Sequence, residues 1–336
     1  MNKPELERLL HDIANARIAV VGDFCLDAYW FIDPAGEELS VETGLPTRAV
    51  REQRYSLGGA GNVVMNLRAM GVKQVSAFGV IGDDPYGAHL LRLLTEHAVD
   101  VDGVARQRGG WSTHVYTKPY LGDAEQNRID FGNFNALNDA TAQALVQALR
   151  TRIGAVDAVI INEQVVSGMH HSARFQELLQ ALIAAHPKTI FVLDSRHYSE
   201  RYAGTIRKVN DHEAARLCGF PRGHDELVLG TEARTAAETL WRRWGTPVIV
   251  TRGASGCLVC DTAGLQEIPG RHIPGRTDPV GAGDSLLAGC AAALAAGRDL
   301  LTAATLGTLA AGVTVQKLFQ TGTASPEEIM AIGAAC

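Results

Sequence analysis

Hydrophobic and polar positions along the chain alternate between two rhythms. Short apolar runs at residues 17–23, 75–80, 158–161, 189–193 and 247–251 predict strands buried on both faces, because a parallel sheet covered by helices leaves no polar side. Between most of them, residues 62–70, 84–97, 139–153, 172–185 and 231–244 repeat their apolar positions every three to four residues, the spacing that puts them on one face of a helix. Strand alternating with helix predicts an α/β fold with a largely parallel sheet and helices on both faces.

Two stretches break the rhythm. Residues 29–55 and 106–134 alternate polar and apolar side chains, carry Pro, Gly and Trp, and lack a helical period. They predict short antiparallel strands projecting from the body as a small lid. Toward the C-terminus, residues 288–296 and 303–312 are rich in Ala and Gly, which predicts helices packed closely on the sheet. No internal repeat or Pro/Ser-rich linker divides the chain, so residues 1–336 are expected to form one domain with a lid.

Composition narrows the function. Of 336 residues 46% are apolar, and 31 Lys and Arg against 37 Asp and Glu leave a net charge of −6 with the signs interspersed. Such a surface does not gather nucleic acid. No apolar run reaches the ~20 residues that span a bilayer, and the first 16 residues are charged and helical in pattern, so the expectation is a cytoplasmic protein without a membrane partner. Six cysteines, at 25, 218, 257, 260, 290 and 336, are too sparse for a disulfide framework and predict reduced thiols. Cys257-Leu258-Val259-Cys260 has a metal-site spacing but no second pair, and reads as two buried strand cysteines.

The chemistry concentrates in glycine-rich elements. Asp278-Pro279-Val280-Gly281-Ala282-Gly283-Asp284 leads directly into an apolar helical run from Ser285. Glycines before a helix let successive N–H groups converge on one anion, and the helix dipole adds positive potential. Asp284, in the first turn, is placed to take a proton from a hydroxyl attacking a phosphorus atom; its plainer reading is a helix cap. Gly58-Gly59-Ala60-Gly61-Asn62 precedes a second helix and permits close approach of a polar ligand, or is simply a tight turn. It lacks the Lys-Ser/Thr pair of a Walker A loop, and no dinucleotide fingerprint follows Gly22.

Together these segments resemble the two signature regions of the ribokinase-like carbohydrate kinases, the phosphofructokinase-B type, with agreement in order and spacing from Val20 to Ile329. Val21-Gly22-Asp23-Phe24-Cys25-Leu26-Asp27-Ala28-Tyr29-Trp30, Ile129-Asp130-Phe131 and the tail from Ala311-Gly312-Val313 to Ser325-Pro326 are similar to the bacterial D-glycero-heptose-7-phosphate kinases of that family. The resemblance implies a ribokinase-like fold and an ATP- and Mg²⁺-dependent kinase; the projecting strands of residues 29–55 and 106–134, open to pairing with a copy of themselves, predict a homodimer joined through the lids. The resemblance also implies Asp284 as catalytic base and the N–H groups of Gly281, Ala282 and Gly283 as the anion hole. Asp27, Gly58, Gly59 and Asn62 match positions that hold sugar hydroxyls, and Glu163 falls where another sugar-facing group is common. Asn210 would face the nucleotide phosphates and Glu213 would organise the water shell of Mg²⁺. Thr251, Gly253 and Gly256 match the nucleotide-phosphate loop, and Thr308 and Gly312 the adenine pocket. Asn210 with Glu213 also reads as a capping pair, Gly253 and Gly256 as hairpin glycines, and Asp23 and Asp27 as solvated loop carboxylates.

The resemblance has departures. Pro279-Val280 replaces the Thr-rich stretch of potassium-activated relatives although Asp278 remains, which argues against a monovalent cation. Asp194-Ser195-Arg196 stands where the heptose-phosphate kinases carry Asp-Pro-Lys, and residues 162–168 lack their Tyr-Ala-Lys-Gly. Arg196 or Arg128 is then the candidate for a sugar phosphate, a planar guanidinium being able to grip it bidentately. The expected substrate is a heptose-7-phosphate-like sugar; the alternatives are a kinase of a free hexose or pentose and a non-catalytic sugar- or nucleotide-binding regulator.

Overall fold

The computed structural model describes residues 1–223, 225–318 and 321–334, so Cys336 lies outside the described residues. The strands are β1 (Arg17–Gly22), β2 (Phe24–Ile32), β3 (Val50–Gly59), β4 (Gln74–Gly82), β5 (Asp100–Gln107), β6 (His114–Leu121), β7 (Ala124–Glu125) and β8 (Ile129–Phe131). They continue with β9 (Ala158–Glu163), β10 (Ile190–Ser195), β11 (Ile206–Asn210), β12 (Val248–Thr251), β13 (Cys257–Asp261) and β14 (Gly264–Ile268). The α-helices are α1 (Lys3–Ile13), α2 (Ala60–Ala69), α3 (Pro85–Glu96), α4 (Asp139–Arg152), α5 (Ala173–Ala185), α6 (Asp211–Leu217), α7 (Gly230–Trp244), α8 (Ala282–Ala295), α9 (Leu300–Thr314) and α10 (Pro326–Ala334).

Nine strands form the main sheet in the order β14-β13-β12-β11-β10-β9-β1-β4-β5. All neighbours from β12 to β5 are parallel, and β13 and β14 close one edge as an antiparallel hairpin. Alternation along each strand feeds two cores: in β1, Ile18 and Val20 join α1, α2, α8 and α9, whereas Ala19 and Val21 join α4 and α5. In the same way Val248 and Val250 face α6 and α7 while Ile249 faces α8 and α9. A Cβ on Gly289 of α8 would lie 2.8 Å from the Gly307 Cα of α9, so the small residues of this region let two helix backbones touch. Cys257 and Cys260 are buried in β13, and the five described cysteines are free thiols. Among the described residues no helix is long and apolar enough to cross a membrane.

Three strands of the main sheet, β5, β11 and β14, escaped the hydrophobic pattern. In β5 the edge position leaves one side wet, and Arg106, expected to open the second lid segment, belongs to this strand instead. In β11 the sequence Ile-Arg-Lys-Val-Asn buries two cations. Arg207 donates to Ser199 O at 2.7 Å, Tyr202 O at 2.8 Å and Thr246 Oγ1 at 2.8 Å, and its guanidinium lies 4.6 Å from the Trp244 ring centroid. Lys208 pairs with Asp194 at 2.9 Å. Each buried charge is satisfied, which is the condition for its being there.

The lid is a second sheet in the order β3-β2-β6-β7, with β8 also on β6. It is not wholly antiparallel as expected: β2 pairs antiparallel with β3 but parallel with β6. The strands also run past the predicted 29–55 segment to Phe24 and Gly59, where they meet the body. At this root Ala60 N donates to Asp23 O at 3.1 Å and Asp23 N to Asn162 O at 3.2 Å. Gly59 adopts φ 55°, ψ −128°, and a Cβ there would approach Asp23 O to 2.5 Å; the turn therefore requires glycine.

Candidate active site

The main sheet reverses its winding between β1 and β9: the chain goes outward from β1 through β4 to β5, then returns to build β9 to β12 on the other side. In such sheets the crevice opens at the carboxyl ends of the strands flanking the reversal. Asp23, Glu163, Ser195, Asn210 and Thr251 all lie at those ends, and the lid root lies beside them.

A cavity of about 980 Å³ occupies this end of the sheet. It brings together Asn210, Glu213, Thr251, Gly253, Gly256, Thr308 and Gly312, the whole expected nucleotide set, with Gly281, Ala282, Gly283 and Asp284. Asn210 and Glu213 form a reciprocal capping box at the start of α6, each side chain bonding the other's N–H at 2.8 Å, and both line the cavity. The capping and the ligand-facing readings are thus compatible. Gly253 and Gly256 flank a short 3-10 turn between β12 and β13.

Gly281 precedes α8 in a left-handed conformation, φ 79°, turning the chain so that the helix N-terminus faces the cavity. The Ala282 N–H is used in that turn, donating to Pro279 O at 3.1 Å, whereas those of Gly281 and Gly283 have no protein acceptor among the described residues. Asp284 Oδ2 accepts a 2.8 Å hydrogen bond from Asn62 Nδ2, in the first turn of α2. Burial, reinforced by the Asp194 charge, pushes the Asp284 carboxyl up to about 6, opposed by the Asn62 hydrogen bond and the cations Lys208 and Arg196. A carboxylate near 6 is poised for proton transfer at neutral pH.

The remaining expected residues meet on the lid side. Asp27, in β2, pairs with Lys118 of β6 at 3.0 Å, and a Cβ on Gly58 would stand 3.0 Å from its Oδ2. Asp27 is buried rather than a solvated loop carboxylate. The buried Cys25 thiol of β2 is pushed well up by burial and by the charges of Asp23, Asp27 and Asp284. Arg128 sits on the lid, bidentate to Asp130 at 2.6 and 2.8 Å and stacked 4.5 Å from the Tyr116 ring centroid. Glu163 departs from expectation: it is fully buried, and both carboxylate oxygens are engaged by Ser195 and His197 rather than open to a sugar.

Sequence reasoning missed Lys208. Its ammonium lies 3.1 Å from the position of a Cβ on Gly283, beneath the first turn of α8, and it lines the cavity with Asp194. The available signal was its place two residues before Asn210, which in a strand means the same face. Lys118 was missed for the opposite reason: it lies in a lid whose pairing was unknown.

Residues 15–328 match the model of the pfkB family carbohydrate kinases. The chain belongs to that family and is a sugar kinase, which implies ATP as phosphoryl donor. Bifunctional protein HldE of Gluconobacter oxydans (strain 621H) is 32% identical over 330 residues, covering 96% of this chain and 65% of that protein. Its namesake from Rhodospirillum rubrum is 31% identical, covering 94% and 62%. The chain therefore spans a little under two thirds of the length of these relatives. Among solved structures, the tetrameric inhibited form of Escherichia coli phosphofructokinase-2 aligns with TM-score 0.72 at 20% identity, covering 95% of this chain and 99% of that one. Ribokinase from Thermotoga maritima aligns with TM-score 0.69 at 20% identity, covering 94% and 99%. The fold is ribokinase-like.

The electrostatics make a prediction for pH. If the ionised form of Asp284 is the base, its value of about 6 predicts that kcat/KM rises with pH and reaches half its plateau near pH 6. Asn62→Ala removes a hydrogen bond that favours the ionised form, so the acid limb moves to higher pH. A pH–rate profile checks both; an acid limb that stays in place in the variant contradicts the coupling.

Proposed function

We propose that the chain transfers the terminal phosphoryl group of ATP to a hydroxyl of a phosphorylated six- or seven-carbon sugar, with Asp284 as general base. The observation that carries this reading is the place of Asp284: in the first turn of α8, on the wall of the nucleotide cavity, yet bonded to Asn62 on the lid side. A hydroxyl between Asp284 and the nucleotide gives its proton to the carboxylate as its oxygen attacks phosphorus. The charge that develops on the transferred group meets the N–H groups of Gly281 and Gly283 and the ammonium of Lys208, all fixed before the reaction. Asn210, Thr251, Gly253 and Gly256 hold the remaining phosphates, Thr308 and Gly312 border the base, and Asp27, Gly58, Gly59 and Asn62 orient the sugar.

Mg²⁺ fits the donor set. Among the described residues no three His, Cys, Asp or Glu side chains could cage a metal, and Mg²⁺ on ATP keeps mostly waters and phosphate oxygens. Glu213 supplies a carboxylate on the cavity wall whose protonation range is raised by burial and by Asp194; a cation held through water relieves that cost. When bound, Mg²⁺ neutralises phosphate charge.

For the substrate, the resemblance of residues 21–30 and of the C-terminal tail to heptose-phosphate kinases supports a heptose 7-phosphate. The engagement of Arg128 by Asp130 and the absent lysines favour the second reading, a free hexose or pentose. Replacing Asp284 by Asn removes the base and not the pocket. It should lower kcat by roughly 10²–10⁴ with KM for ATP little changed. ADP release with Mg-ATP measures this, and a variant above about a tenth of wild-type kcat overturns the assignment.

The lids are expected to join two copies. Leu39, Val41 and Leu45, in the connection between β2 and β3, are 66%, 97% and 65% exposed, an apolar surface that a second lid would cover. Sedimentation velocity at micromolar concentration should show a dimer; a monomer removes this part of the proposal.

A further inference from the structure

Residues 62 and 66 stand one turn apart on α2 and therefore on one face of it. Asn66 is fully buried, and its amide nitrogen makes all of its side-chain hydrogen bonds. Nδ2 donates to Asn62 O at 3.0 Å, to Asn62 Oδ1 at 3.2 Å and to Gly322 O at 3.5 Å. Its own Oδ1 is buried without a hydrogen-bond partner among the described residues. A buried amide with an unsatisfied acceptor is a costly way to fill a core, so the role of this residue lies in its donor end.

The donor end fixes a direction. Asn62 O and Gly322 O are backbone carbonyls, which can only accept, so the Asn66 amide has one orientation. The Asn62 side chain must then turn its oxygen toward Asn66 and its nitrogen away, and that nitrogen is the donor that meets Asp284 Oδ2 at 2.8 Å. Reversed, the Asn62 amide would set nitrogen against nitrogen at Asn66 and oxygen against carboxylate oxygen at Asp284. The turn before α8 packs directly on the same amide: a Cβ on Gly281 would stand 2.8 Å from Asn62 Nδ2 and 3.4 Å from Thr321 Cγ2. One connected path thus runs from the segment between α9 and α10, through two amides of α2, to the carboxylate of α8.

We propose that Asn66 is a positioning residue for phosphoryl transfer, holding the Asn62 amide in the one orientation that donates to Asp284. This rests on the reading of Asp284 as base and adds to it a residue that does not line the cavity. Other charged or titratable groups act on Asp284 directly: Asp194 from β10, Lys208 from β11, Arg196 from the turn after β10, and the Cys25 thiol from β2. The hydrogen bonds of Asn66 reach none of them, so its influence passes through Asn62.

The test follows the Asp284 carboxyl itself, by ¹³C NMR titration of the full chain labelled at aspartate and assigned by the signal that Asp284→Asn loses. Beside it runs the pH dependence of kcat/KM with Mg-ATP and a heptose 7-phosphate. Asn66→Leu keeps the volume and Asn66→Ala does not, and both remove the donor. Because the bond they disorient favours the ionised form, both should raise the titration and the acid limb by about 0.5–1 pH unit, a roughly three- to tenfold loss of kcat/KM on that limb. In the Asn62→Ala background the same substitutions should add nothing. A titration that neither variant moves, or a shift equally large without Asn62, overturns the proposal; a lower thermal midpoint with no shift assigns Asn66 to packing alone and overturns it too. The titration needs no turnover, so it decides the role of Asn66 whatever the acceptor. A titration that moves while the acid limb stays in place upholds the path from Asn66 to Asp284 and removes Asp284 as base, so the two readings fail separately.

Discussion

A parallel sheet covered by helices on both faces can present polar chemistry only where its strands end. Here the faces are filled by alternating Ile, Val and Ala from β1, β9 and β12, so Asp23, Glu163, Ser195, Asn210 and Thr251 gather by necessity at one end. The reversal of winding at β1 opens that end between adjacent strands. The lid is rooted at the same place, because β2 and β3 leave and re-enter the body at Asp23 and Gly59. The cavity, the acids at the strand ends and the lid root are thus consequences of one topological constraint.

Putting acids together in such a place is costly unless cations are interleaved. Asp194, Glu213 and Asp284 share the cavity wall, and burial, with the Asp194 charge added to it, raises Glu213 and Asp284 alike. Lys208, buried from below, offsets that rise and is held by its own ion pair with Asp194. That pair explains how β11 tolerates a buried lysine. The Asn62 hydrogen bond lowers the Asp284 carboxyl and ties it to α2, the helix that begins where the lid ends.

Much of this was legible in the sequence, and the omissions have physical reasons. Apolar strands such as β1 and β9 and periodic helices such as α4 and α7 announced themselves, because burial on both faces or on one stripe leaves a pattern. The glycines before α8 and the residues from Asn210 to Gly312 that were expected to meet a nucleotide do line one cavity. β11 stayed hidden because Arg207 and Lys208 are buried through partners distant in the chain, which no local pattern records. The parallel pairing of β2 with β6 was equally invisible, since alternation gives a strand's faces and not its neighbour's direction. Glu163 was located at the strand end, but its partners Ser195, closing the next strand, and His197, just beyond it, leave no local signal.

The central claim is that Asp284 acts as a base in a direct transfer between two substrates held in one cleft. The stereochemical course of transfer from ATP chiral at the γ-phosphorus tests it most directly. A single in-line displacement predicts inversion at phosphorus in the sugar product. Retention would mean that the phosphoryl group passes through the protein, with a nucleophile where this account places a base, and would contradict it.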